Sequence, residues 1–173
     1  MTIRILGIDP GSQITGYGII DTEGNHSKHI DNGIIRVQGK DIAEKLRLIH
    51  QGISNLIKEF EPQEVSIEKV FMHKNADSAL KLGQARGAAI TATAIHNIDV
   101  FEYTANQVKQ STVGKGHAAK EQVQHMVKVL LNLPEVPFTD ASDALAIALC
   151  HAHSREGVLR MKGVSGIKHG RLR

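Results

Sequence analysis

The 173-residue chain is 41% apolar, has one cysteine (Cys150) and no tryptophan. That length and composition fit one domain with a real core. They exclude a disordered chain, a disulfide-stapled fold and a membrane span. The formal charge is +3, but unevenly spread: residues 156–173 hold five Lys/Arg (Arg160, Lys162, Lys168, Arg171, Arg173) against Glu156, and residues 69–128 hold eight against four acids. Two basic segments on an otherwise acidic body suit a polyanionic partner, with a solvated tail and a charged helix face as the plainer alternative. The start, MTIRILGID, has too short an apolar stretch and no small-residue cleavage site for a signal peptide. A lone cysteine is compatible with a reducing cytosol.

In chain order, IRILGID (3–9) reads as a buried strand and Pro10-Gly11 as a turn. TGYGIID (15–21) reads as a second strand, with Gly16 and Gly18 marking a bulge or a close backbone approach. HIDNGIIRV (29–37) makes a third, and the short turns imply an antiparallel meander. Residues 41–60 place Ile42, Leu46, Ile49, Ile53, Leu56, Ile57 and Phe60 at helical spacing behind Asp41 as N-cap. A strand over 64–71, a helix over 75–96 and a strand over 100–104 follow. Two helical stretches (105–112 and 118–131) flank VGKGH, and a last helix with an acidic start covers 139–154. This order predicts an α/β fold: a five-stranded mixed sheet flanked by helices on both faces. Residues 1–155 form one domain and 156–173 a basic C-terminal tail.

Four carboxylates fall at element ends: Asp9, Glu68, Asp140 and Asp143. If the strands ending in Asp9 and Glu68 are parallel neighbours, their carboxyl ends lie together where open α/β sheets hold ligands. Asp140 and Asp143 are three apart and share a helix face. Each acid alone has an ordinary reading: Asp140 and Asp143 as cap and first-turn acids, Glu68 as a surface strand end, Asp9 as a turn former. Gathered together they would repel unless a cation compensated, and all-oxygen donors suit Mg²⁺ or Mn²⁺ rather than zinc. Two such ions can activate water and stabilise the leaving oxygen of a phosphodiester. His151 and His153, two apart on a helix, point to different sides and make a poor metal clamp; Cys150 lies in an apolar run as a small buried residue.

The segments GIDPGSQITGYGII, SIEKVFMHKNADSALKLGQARGAA, VKQSTVGKGHAAKEQVQHMV and DASDALAIALCHAH, in this order and spacing, resemble the RuvC-type Holliday junction resolvases (crossover junction endodeoxyribonucleases) over nearly the whole chain. The resemblance implies a ribonuclease H-like fold and a homodimer. It implies symmetric nicking of four-way junction DNA in two strands of like polarity, leaving 5′-phosphate and 3′-hydroxyl ends, with preference for a short T-rich core. It also implies partnership with the RuvA–RuvB branch-migration complex and a role in homologous recombination and DNA repair. It further implies a bacterial, nucleoid-associated cytoplasmic location, with no membrane and no nucleotide cofactor. The metal-binding acids carry over to Asp9, Glu68, Asp140 and Asp143, holding two Mg²⁺ per subunit with Mn²⁺ as a substitute. In that mechanism Asp9 bridges the ions, Glu68 holds one, Asp140 and Asp143 hold the other, Asp143 orients water and Lys120 steadies the developing charge.

Phe71, one of few aromatics, sits beside Glu68 on a loop. There it would stack on an unpaired base, or anchor the loop in the core. Lys109 and Lys120 match lysines that neutralise phosphate or the scissile group in the family; Lys74 and Lys115 are further candidates for phosphate contact, with an ordinary solvated lysine as the alternative for each. The Gly/Ala-rich stretch 79–94 would pack a second protomer or press on the sheet. Two rival readings start from the same residues. GIDPGSQITGYG also resembles the first phosphate loop of actin/Hsp70-type ATPases, but the chain is too short for their second lobe. A non-catalytic junction binder would need no retained acids.

Overall fold

The computed structural model of the chain describes residues 1–70, 75–162, 167–168 and 171–172. Phe71 and Lys74 lie outside the described residues. The meander is β1 (Ile3–Asp9), β2 (Ile14–Glu23) and β3 (His26–Arg36), turned between β2 and β3 at Gly24, whose φ of 58° a side chain would disfavour. Helix α1 (Ile42–Phe60) leads to β4 (Glu64–Glu68), and α2 (Ala76–Ile95) to β5 (Asp99–Tyr103). Then come α3 (Ala105–Val113), α4 (Lys120–Leu130) and α5 (Thr139–Lys162). A two-residue ladder joins β6 (Ile167–Lys168) to β7 (Arg171–Leu172).

The main sheet has the order β3-β2-β1-β4-β5. β1 pairs antiparallel with β2 and parallel with β4, and β4 pairs parallel with β5. The fold is therefore the expected five-stranded mixed sheet with helices on both faces. Several boundaries differ from the sequence expectation. β3 starts earlier, at His26; β4 ends at Glu68 instead of running to 71; α4 starts at Lys120; and α5 continues past 154 to Lys162.

Side-chain alternation along the strands separates the two faces. Leu6, Ile8, Ile19, Val65 and Ile67 pack with Ile49, Ile53 and Ile57 of α1 and with Ala85, Ala89 and Ala92 of α2. The opposite face carries Ile5, Gly7 and Asp9 on β1, and Glu64, Ser66 and Glu68 on β4. Helix α5 covers it and is in turn covered by Val108 of α3 and by Val123 and Val127 of α4. This sandwiching explains why α5 is apolar around its whole circumference from Ala144 to Cys150. Helix starts follow local capping: Asp41 accepts from the Glu44 N–H (2.8 Å), Asn75 from Asp77 (3.0 Å), and Thr104 and Gln107 bond each other's backbone N–H groups (3.2 and 2.8 Å).

The edge of the sheet remote from Asp9 holds a buried polar network. His151 of α5 is 1% exposed and its ring stacks on Phe101 at 4.3 Å. Its Nε2 lies 2.8 Å from Glu64 Oε2, and its Nδ1 lies 2.7 Å from the Tyr103 hydroxyl. A carboxylate only accepts, so Nε2 carries the proton, and in the neutral ring Nδ1 accepts from Tyr103. Arg155 Nε donates to the same carboxylate at 3.2 Å. Burial pushes the Glu64 carboxyl up, but the hydrogen bonds and charges of His151 and Arg155 outweigh it and hold the group below its usual range. His151 is thus a satisfied core histidine, and His153 pairs with Ser111 (3.0 Å), consistent with neither being a metal clamp. A carboxylate with a depressed pKa stabilises the fold above its unfolded pKa and loses that contribution as pH falls through the folded value. Glu64→Gln should therefore cost about 2 kcal/mol at neutral pH. The gap to wild type should close as pH drops below about 4, read by urea unfolding across pH.

Candidate active site

Asp9 is the last residue of β1, and one step before it Ile8 pairs in parallel register with Ile67 of β4. Asp9 and Glu68 therefore end neighbouring strands at one edge and, by alternation, face α5. The chain leaves Asp9 through buried Pro10 and a turn at Gly11, whose backbone N–H and C=O both meet the Thr15 hydroxyl (3.3 and 3.2 Å). A side chain on Gly11 would collide with the Ile14 carbonyl, so the turn needs glycine. Glu68 is fixed from behind: Arg86 of α2 donates to its backbone carbonyl at 3.0 Å and is ion-paired with Glu102.

Glycines bring α5 down onto this edge. Gly16 pairs with Asp9 across β1–β2, and a β-carbon there would overlap the backbone carbonyl of Asp140. Gly7, two residues before Asp9, lies likewise under the carbonyl of Ala144. The first turn of α5 is thereby set beside Asp9, where it presents Asp140 and Asp143. The sequence expectation of a close approach at Gly16 is met, and the approaching element is the acidic helix start itself.

The consequence is electrostatic. The Asp9 carboxyl is pushed up to about 8, first by burial and then by Asp143, Glu68 and Asp140, with Lys120 acting in the opposite direction. Lys120, the first residue of α4, places Nζ 2.8 Å from Asp143 Oδ2. Burial lowers the Lys120 pKa, but Asp143, Asp9 and Asp140 outweigh that and raise it, so the ammonium stays charged. A cavity of about 270 Å³ opens between α3, α4 and α5, lined by Glu68, Lys109, Lys120 and Asp143 above an apolar floor of Val108, Val123 and Ile147. Lys115 sits exposed between α3 and α4 and does not line it. Thus the four acids share one field with Lys120, and Lys109 joins them at the cavity. As they stand, no three acidic, His or Cys side chains among the described residues close into a finished metal cage.

Sequence reasoning missed Arg86, which reaches Glu68 from a helix 18 residues on and carries no motif of its own. It did place Cys150 correctly: the thiol is buried and pushed up to about 11 by that burial, so no reactive thiolate forms.

The family model of the crossover junction endodeoxyribonuclease RuvC matches residues 5–151. The chain belongs to the RuvC family. Curated RuvC crossover junction endodeoxyribonucleases of Tolumonas auensis and Pseudoalteromonas atlantica are 56% and 55% identical to it, covering 100% and 98% of both chains. Thermus thermophilus RuvC, solved in complex with a Holliday junction substrate, superposes with a TM-score of 0.84 at 34% identity over 90% of this chain and 96% of that one. The yeast mitochondrial Holliday junction resolvase Ydc2 shares the fold (TM-score 0.67) at 13% identity. The RuvC-family chain therefore has the ribonuclease H-like architecture.

Gly16→Ala in this RuvC-family chain should cost about 1–3 kcal/mol in urea unfolding, because backbone cannot yield to the added methyl. Gly157→Ala, on the same α5 where an added methyl meets nothing within 4 Å, should instead stabilise by about 0.5–1 kcal/mol.

Proposed function

We propose that this chain is a Mg²⁺-dependent endodeoxyribonuclease that resolves Holliday junctions by paired nicks in strands of like polarity, leaving 5′-phosphate and 3′-hydroxyl ends. One observation carries the reading: Glu68 of β4 and Asp140 and Asp143 of α5 all act on the buried Asp9 carboxyl at the end of β1, beside a cavity lined by two lysines. The donor set fits a hard divalent cation. Its four groups are carboxylates, and although burial is the first cause of the raised Asp9 pKa, the added repulsion from Asp143, Glu68 and Asp140 is what such a cation relieves. Asp9 would be shared between two ions, Glu68 would hold one, and Asp140 and Asp143 the other. Two bound Mg²⁺ would supply charge to acidify a water and to stabilise the leaving oxygen.

The chain's own residues do the rest. Asp143 orients the attacking water, and the neighbouring Lys120 ammonium neutralises charge that builds on the phosphoryl oxygens. Lys109 meets a phosphate at the cavity mouth, and Phe71, Lys74 and Lys115 extend the DNA contact. Two nicks call for two sites, hence a homodimer. The stripe of α2 that α1 and the sheet leave uncovered, with exposed Leu80, Gly83 and Gly87, is smooth enough for a second copy. The junction is received from RuvA–RuvB in the bacterial cytoplasm, and residues 156–173 add basic charge to the nuclease domain of residues 1–155.

The test is a synthetic mobile four-way junction incubated with and without Mg²⁺, with the ends mapped. Symmetric, ligatable nicks only with Mg²⁺ support the reading; binding without nicking would overturn it. Asp9→Asn should abolish nicking and retain junction binding. It should also raise the melting temperature in metal-free buffer, since it removes the carboxylate that its neighbours disfavour. Lys120→Met should lower the single-turnover nicking rate about 10²–10³-fold, as expected for one lost charge-stabilising donor.

A further inference from the structure

The edge of the sheet that carries Asp9 continues past it on the side away from the cavity. The strand order β3-β2-β1 puts the end of β3 two strands from Asp9, about 10 Å at ordinary strand spacing. β3 ends there in Arg36, paired with Ile14 at the start of β2. Beside it a cavity of about 380 Å³ is lined by Gln13, Arg36, Gln38, Gly39 and Lys45. A second, of about 270 Å³, is lined by Ser12, Gln13, Lys45 and Lys81. The two share Gln13 and Lys45, so they form one trough along the outer wall of the turn that follows Asp9. The hydrogen bond from Val37 N–H to the Gln13 carbonyl (2.9 Å) holds the two walls together.

Among the described residues the lining carries three cations, Arg36, Lys45 and Lys81, and one acid, Asp41. Arg36 is exposed and Lys45 half-buried, and among the described residues neither enters an ion pair or a side-chain hydrogen bond. Lys81 is already paired with Asp77 (2.6 Å). The one acid among the described residues that line the trough, Asp41, caps α1 by accepting from the Glu44 N–H. Gln13, Gln38 and Ser12 add neutral hydrogen-bonding groups to Arg36 and Lys45. Two unpaired cations, Arg36 and Lys45, beside the neutral hydrogen-bonding groups of Ser12, Gln13 and Gln38 and an apolar wall of Ile42, Leu46 and Ile49, suit the oxygens of a phosphodiester chain. On the other side of the acids, Lys109 and Lys120 line the cavity already described. The acid cluster is thus bracketed along one sheet edge by cations on both sides.

We propose that the Arg36–Lys45–Gln13 trough is a second phosphate-backbone site, which holds a DNA segment of the bound junction across the β1–β2 turn from the strand being cut. This rests on the reading of the chain as a junction nuclease. It assigns the trough to backbone contact alone, so it contributes to affinity and register and carries no base sequence preference.

The experiment measures binding of a labelled four-way junction in EDTA, by anisotropy, over a range of salt concentrations. Wild type is compared with Arg36→Gln/Lys45→Gln, and with Lys28→Gln/Lys58→Gln, which removes the same charge from exposed positions outside the trough. The trough variant should show a shallower dependence of log K on log salt, by about 1.8 for two lost phosphate contacts, whereas the control keeps the wild-type slope. The charge-keeping Arg36→Lys/Lys45→Arg should restore most of the slope. A trough variant with the wild-type slope, or a control that loses as much as the trough variant, overturns the proposal while wild-type binding and nicking leave the nuclease reading standing. A wild-type protein that does not bind the junction removes both.

Discussion

Where a side chain at position 16 would stand, the backbone carbonyl of Asp140 stands instead. The candidate site depends on that close approach of a helix to a sheet. An ordinary helix-on-sheet layer keeps about 10 Å between axes, with side chains between them. Here Gly7 and Gly16 remove the side chains on the sheet side, and Ala141 and Ala144 keep those on the helix side small. Only then can carboxylates from a helix start and from two strand ends act on one another. The opposite face of the same strands has no such requirement, and it carries Leu6, Ile8, Ile19, Val65 and Ile67 in a conventional aliphatic layer under α1 and α2.

That closeness works against stability. Burial and three neighbouring acids disfavour the Asp9 carboxylate, and the compensation supplied by the fold is the Lys120 ammonium at 2.8 Å from Asp143. The ammonium comes from the start of α4, a helix capped by Gln122 reaching back to the Ala119 N–H at 2.9 Å. The divalent cations of the proposed function would supply the missing charge, and the aliphatic core elsewhere offsets the cost in their absence.

Much of this was legible in the sequence because the signals are local. Apolar runs marked the strands, helical spacing behind the Asp41 cap marked α1, and the paired glycines of β2 pointed to a close approach or a bulge. The grouping of Asp9 with Glu68 needed only the parallel neighbouring of two strands, and motif resemblance supplied the helix start. What stayed hidden depends on partners far along the chain. Glu64 and His151 are 87 residues apart, and Tyr103 and His151 are 48 apart, so nothing near His151 shows that its ring is satisfied. The extension of α5 to Lys162 was equally hidden, because residues beyond 154 lose the apolar pattern that packing between two layers imposes on its first half. Arg36 looks like an ordinary surface cation until the strand order sets it on the edge that carries Asp9, and Lys45 of α1 until the cavity it lines with Arg36 is seen.

The Glu64–His151 pair has a consequence beyond its own burial. Glu64 and Glu68 begin and end the same strand, about 13 Å apart at 3.3 Å per residue. Asp143 and His151 lie on the same helix, about 12 Å apart at 1.5 Å per residue. Strand and helix are therefore two rods of matched gauge, bolted at one end by a buried histidine and bearing carboxylates at the other. Adding or deleting one residue between 143 and 151 would slide the helix start by about 1.5 Å and turn it by about 100° relative to the bolt. Side chains in that interval can be exchanged for others of similar size, but the number of residues in it cannot change without taking Asp140 and Asp143 away from Asp9.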